Sequence, residues 1–567
     1  MKLLSPSYRA GLVLAAFLAW LPANTLRAQA PAWQSAMAST TSAIAVANAA
    51  DDNGNVYVVG YFDGMLTLGN STLVSAGMYD VFIAKWNSAQ NAFVWAQRAG
   101  GTDIDFARDV AVRGNEVYVV GNLGSQGGDF GAAQLSTAGL SDVFVTKLTD
   151  NGPSSQFSWA TRAGGPGHDS VWGVAVSGSA VYLAGEFDGV GASFGPATLT
   201  SVGQSDAFVA KVLDAGNGGS FVWARQAGGS GNDAAMDVAV NGASVYVTGL
   251  SDSPTTYFGN TSFTGVGSFD AFVTRLTDAG TTADFDWIRA AGGTRSDAGM
   301  TIAVSGSNIY VGGTFRSVAI AFGSTGFINA SINGLTKDVF VAKMVDAGSN
   351  TVFNWAQQLG GVDDDDIRAM AVRGSSVYLA GSFQGTMGTS PGGPSLTSLG
   401  SSDAFVAALA DAGSTGRVRW VQSAGGATAD IAFGVALGGN SVYVAGSLHA
   451  PASFGPMAIG GPSAIWLAYV AALNDATGLA TAAPEASGAL SLSPNPAHGR
   501  ATIDLPALPG TATATLTVLD ALGRALRTQM VPTNAPAELD LTGLAPGLYA
   551  VQVAAGAAIA TQRLVVE

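Results

Sequence analysis

The sequence predicts an all-β chain: a seven-bladed β-propeller closed by its N-terminal strand, followed by a small, immunoglobulin-like C-terminal β-sandwich. Three observations predict it. First, a tryptophan recurs at Trp33, Trp95, Trp159, Trp223, Trp287, Trp355 and Trp420, followed twenty-three residues later by Tyr118, Tyr182, Tyr246, Tyr310, Tyr378 or Tyr443 from the second copy onward. One unit of about 64 residues is therefore repeated seven times. Second, each unit holds four short β-patterned segments separated by Gly, Asn and Ser, the signature of consecutive antiparallel strands. Third, the repeat begins and ends out of phase. It opens on the tryptophan segment Pro31-Ala-Trp33 and ends on Ala471-Ala-Leu473, a segment of another kind with no tryptophan strand after it. Lending the first strand to the last unit would leave no exposed edge.

The first thirty residues precede the repeat. Lys2 and Arg9, the apolar run 11–21 and Ala28-Gln-Ala30 follow the charged, apolar, small-residue order of a secretory signal peptide. The run is too short to span a bilayer. The mature chain is therefore expected to be exported, with no transmembrane segment. Cysteine is absent, so no disulfide supports the fold, and the 48% of hydrophobic residues must supply the core. A net charge of −15 argues against nucleic acid as a partner.

Within a unit, Val238 and Val240 alternate with Ala239, and Val245 and Val247 with Tyr246. Both faces are apolar, as in a sheet sandwiched between neighbours. The small Val-Ala-Val segment suits a crowded axis and the tryptophan a wide outer rim. The blades are expected at 42–98, 107–162, 170–226, 234–290, 298–358, 366–423, and 431–473 completed by 31–38. The pattern Trp-Ala, Gly-Gly, Asp, Val-Ala-Val, Val-Tyr-Val-x-Gly, Asp-Ala-Phe-Val-Ala-Lys resembles the bacterial β-propeller repeat called SBBP over residues 31–473. That resemblance implies a cell-surface or S-layer-like protein and brings no catalytic residues. The copies depart from it at Leu467 for the strand-opening Asp, at Ala408 and Ala472 for the basic residue, and at Ala38-Ser39 for Gly-Gly.

A linker, 474–488, leads to residues 489–567. There Ser493-Pro-Asn-Pro496, Thr515–Arg524, Leu539–Tyr549 and Gln562–Val566 read as strands with turns between them, about seven in all. This stretch resembles the type A C-terminal sorting domain of the type IX secretion system of Bacteroidetes. The resemblance implies the type IX machinery as a partner, passage across the outer membrane, and delivery to the cell surface or beyond.

Two acids recur in six units. Asp105, Asp169, Asp233, Asp297, Asp365 and Asp430 follow the tryptophan by ten residues, and Asp80, Asp142, Asp206, Asp270, Asp338 and Asp403 open the Phe-Val-Ala-Lys strand. Carboxylates repeated in this way are expected to accept backbone N–H groups in tight turns. Gly164–Asp169 and Gly228–Asp233 spell the Gly-Gly-x-Gly-x-Asp calcium nonapeptide, but 64 residues apart they share no ion. His168, His449 and His498 are scattered, so no zinc cluster or His-based triad is predicted.

Two features break the symmetry. One is the acidic run Asp363, Asp364, Asp365 and Asp366; the other is the long segment 310–338 with Arg316 and Lys337. Four adjacent carboxylates repel one another unless water, those two bases or a hard cation such as calcium offsets the charge. Calcium there is the only metal or cofactor expected. The function expected is a non-catalytic surface module that binds glycan or protein or builds an envelope layer. The alternative is a secreted polysaccharide lyase or hydrolase using a carboxylate pair on one face.

Overall fold

The computed structural model describes residues 30–331, 334–389, 393–475, 491–504, 513–519, 525–532, 536–555 and 558–566. Most of the expected signal peptide and linker falls outside them. Every regular element among the described residues is a β-strand, and the sheets are antiparallel.

In the fourth unit Asp233–Asn241, Ser244–Ser251, Asp270–Asp278 and Ala283–Ala291 pair in that order. The first two are joined by a turn that needs Gly242 at φ +62°, a conformation L side chains avoid. The other units repeat the same first-to-fourth order. In the seventh, Ile431–Gly438, Ser441–Leu448 and Leu467–Asn474 come from the end of the repeat. The fourth strand is Trp33–Ala38, antiparallel to Leu467–Asn474 with Trp33 opposite Leu473. The N-terminal strand thus covers an edge that would otherwise be open.

Neighbouring sheets bury their faces against each other. Tyr118, Val120 and Val143 of the second unit share a core with Val181, Leu183 and Phe208 of the third. Tyr443 and Val470 of the seventh share one with Val56, Phe82 and Trp86 of the first. The first strands also touch: Ala43–Ala50 packs on both Asp105–Arg113 and Ile431–Gly438.

The link from second to third strand adds an element the four-segment reading does not contain. It folds into a short hairpin, such as Thr255–Phe258 with Thr261–Thr264, and this hairpin reaches the previous sheet. Phe258 pairs with Ala227 of the third unit's fourth strand. The hairpins of the second, third, sixth and seventh units likewise bridge to the preceding sheet.

The C-terminal part carries a three-stranded sheet (Ser491–Ser493, Arg500–Asp504, Ala537–Asp540) and a four-stranded one (Thr513–Leu519, Ala525–Pro532, Gly547–Ala555, Ala558–Val566). They enclose a core of their own that includes Ile503, Leu516, Val518, Leu539 and Val551.

Candidate functional site

The acids repeated in six of the seven units serve the fold. Asp105, Asp169, Asp233, Asp297, Asp365 and Asp430 are each fully or almost fully buried, and each accepts the N–H of the glycine four residues earlier, from Gly101 to Gly426. The strand-opening acids do the same for the loop before them, as Asp80 does for Ala76 at 2.6 Å. The two sets approach each other: a side chain on Gly100 would strike both Asp80 and Asp105. Burial first, and then the neighbouring carboxylate, push several of these acids upward, Asp365 to about 8 and Asp169 to about 7.

A third acid, eight residues after the strand-opening one, has no counterpart in the sequence reading. Asp214 accepts the hydroxyl of Tyr118 at 2.7 Å, the ammonium of Lys147 at 2.7 Å and the indole N–H of Trp159 at 2.9 Å, all from the preceding unit. Asp150, Asp278 and Asp411 repeat this three-way contact. It explains why tryptophan, tyrosine and lysine recur together. The signal was present in the spacing Asp142 to Asp150 and Asp206 to Asp214. Where Ala408 stands for the lysine, Arg419 takes over and meets Asp475 at 2.8 Å. At Ala472 the acid is missing as well: Ser88 occupies its place and lies 3.2 Å from the Tyr443 hydroxyl. Loss of the base and loss of the acid coincide at this junction.

The acidic run does lie beside the long segment. Arg316 approaches Asp364 at 4.0 Å, the Lys337 backbone N–H donates to Asp364 at 3.0 Å, and the Lys337 ammonium meets Asp366 at 2.8 Å. Arg368 also meets Asp366, at 2.7 Å. Asp365 turns inward to its glycine turn, and Asp363 lies against Gly385. The four carboxylates do not converge, and no cluster of three or more His, Cys, Asp or Glu side chains suited to a metal occurs among the described residues. The two bases named from the sequence, Arg316 and Lys337, do face the run. His168 and His449 sit in different units, on Ser141 and the Ala429 carbonyl.

The units differ most at a different place. Every first strand carries a β-bulge near its start, between Ala107 and Asp109 and between Val171 and Gly173, for example. The bulge drives a carbonyl toward the second strand, so a Cβ on Gly121 or Gly185 would collide with the carbonyl of Phe106 or Ser170. That is why glycine closes each Val-Tyr-Val-x-Gly. The bulged residues are Val46, Arg108, Trp172, Met236, Met300, Arg368 and Phe433, and they line one cavity of about 260 Å³. The second-strand residue after the glycine varies equally: Tyr61, Asn122, Glu186, Leu250, Thr314, Ser382 and Ser447. Chemistry that differs by unit is therefore gathered at one mouth.

Asp109 and Asp237 lie below the bulges. Asp109 accepts the Val174 N–H at 2.8 Å, and Asp237 accepts the Ile302 N–H at 2.8 Å and the Thr301 hydroxyl at 3.0 Å. Burial, with the charge of Asp237 second, pushes Asp109 up to about 8, and burial pushes Asp237 to about 6. At the rim Arg108 stacks 4.5 Å from the Trp172 ring centroid and gives its Nε–H to Asn122 at 2.7 Å. Burial lowers its pKa. Tyr61, Tyr79 and Phe106 form an adjoining ledge, with Tyr61 and Phe106 centroids 4.4 Å apart.

Comparison with known proteins bears on the other end of the chain. Residues 491–567 match the secretion system C-terminal sorting domain. This tail indicates export by the type IX system to the cell surface or extracellular space. Among the described residues no helix is long and apolar enough to cross a membrane. No curated protein matches the chain.

Proposed function

We propose that the chain is a closed seven-bladed β-propeller of the SBBP kind, delivered to the cell surface by its sorting tail, and that it works there as a non-catalytic binding module. The pairing of Trp33–Ala38 with Leu467–Asn474 supports the closed form. So does the single cavity bordered by residues of all seven units. The observation that carries the binding role is the contrast between identical acid turns and a mouth where the bulged residue changes from unit to unit. A binding site on a repeat needs such a break in symmetry.

The enzyme reading rests on Asp109 and Asp237, buried acids whose pKa values are pushed apart. Each already accepts a backbone N–H from the next unit, which is a stitching role. The binding role is tested by retaining envelope polysaccharides and surface proteins on the purified chain and on Trp172→Ala. Loss of retention in the variant, with an unchanged melting temperature, is the expected result. Equal retention by both would place the binding site elsewhere.

A further inference from the structure

Resting on the mouth as the binding site, we infer that its ligand is an acidic saccharide, whose carboxylate meets Arg108 and whose ring lies on the ledge of Tyr61, Tyr79 and Phe106. The chain holds 40 acids against 25 lysines and arginines, so an arginine without an acid is not short of available partners. Arg368, across the same mouth, is paired with Asp366 at 2.7 Å. Arg108 makes no ion pair among the described residues: its Nε–H serves Asn122, and both terminal nitrogens lack a protein acceptor. The guanidinium lies over two rings, 4.5 Å from the Trp172 centroid and 5.3 Å from that of Phe106. A guanidinium fixed in this way presents two parallel N–H groups, the geometry a carboxylate accepts.

The ledge supplies the second half of the recognition. Tyr61 and Tyr79 are half-buried, and their hydroxyls have no protein hydrogen bond among the described residues. A sugar presents C–H groups on its face and hydroxyls at its rim, which suits an apolar ring body carrying a polar tip. Glu186 stands beside the arginine, holding the Trp172 indole N–H and the Ser205 hydroxyl, each at 3.3 Å, and offers an acceptor for a sugar hydroxyl. A neutral glycan would leave the two terminal nitrogens of Arg108 without a bonded carboxylate, and an acidic peptide would leave the ledge without a ring to cover it.

The test is calorimetric titration of the full mature chain with a short oligogalacturonate, a neutral maltooligosaccharide of equal length, and a polyglutamate peptide. Oligogalacturonate is expected to bind, and Arg108→Gln to weaken it about tenfold or more, the loss of a charge-assisted contact. Arg108→Lys, which keeps the charge without the fork, should fall between; it carries the test if Arg108→Gln melts early. Failure of oligogalacturonate to bind, or binding unchanged in Arg108→Gln, overturns the inference. Tighter binding of the neutral sugar or of the peptide overturns it too. If Trp172→Ala abolishes that tighter binding, the mouth stands as the site and only the acidic-sugar class falls.

Discussion

Asp214 and Asp365 are both buried aspartates, yet their surroundings drive them in opposite directions. The Lys147 ammonium and the hydroxyl of Tyr118 outweigh burial at Asp214 and hold it down at about 2. At Asp365 burial wins, reinforced by Asp338 and Asp363, and the group rises to about 8. The linkage signs follow. Asp214 contributes stability above the unfolded value near pH 4 that is lost as the pH falls toward 2. Asp365 takes up a proton on folding, so its folded form is favoured below about pH 4 and loses ground as the pH rises to about 8. Asp109 and Asp169 share that direction. The melting temperature is therefore expected to be higher at pH 5 than at pH 8.5. Asp365→Asn should flatten that slope by keeping an uncharged acceptor for the Gly361 N–H, and melts across this range check it. A wild-type melting temperature that rises with pH would contradict it. Trp223, 2% exposed and bonded to Asp278 at 3.1 Å, tests packing instead. Trp223→Ala is expected to cost about 3–5 kcal/mol in denaturant titration.

At the level of the strand, the junction between the seventh and first units departs from the repeat in a matched way. Ala472 and Ser88 stand where other units have lysine and aspartate, so neither leaves a buried charge unpaired. Ser88→Asp and Ala472→Lys should each destabilise the chain. The double variant should recover part of the loss, with a coupling of about 1–3 kcal/mol in a double-mutant cycle. Simple additivity of the two losses would show that the lost pair was never compensated. Strands and the phase of the termini were legible in the sequence because alternation and a fixed period report directly on pairing. The hairpins between second and third strands were not, since segments such as Gly128–Phe130 are too short to show a period. The mouth was missed for a different reason. A search for recurring residues finds Asp105 or Gly121, whereas Arg108, Trp172 and Phe433 become visible only as the position where recurrence fails. The acidic run drew attention as a cluster of like charges; its members turned out to face Lys337, Arg316 and a glycine turn separately.

Across the whole molecule, the sorting tail and the seven-unit part have separate cores. The hydrophobic cluster of the tail draws only on residues from Leu492 onward, and the clusters of the seven-unit part contain none of them. A part that buries its own apolar surface does not need the other in order to fold. Removing residues 491–567 is therefore expected to leave the melting transition of the seven-unit part in place while abolishing delivery, because the matching sorting domain is what the type IX machinery engages. The truncated chain should accumulate in the periplasm, resistant to protease added to intact cells, and still lose ligand on Arg108→Gln. Fractionation and surface protease digestion read the first outcome, and calorimetry on the purified fragment reads the second. Truncated protein found on the cell surface would mean that the seven-unit part carries an address of its own. A truncated chain that fails to fold would mean that the two cores depend on each other despite sharing no residue.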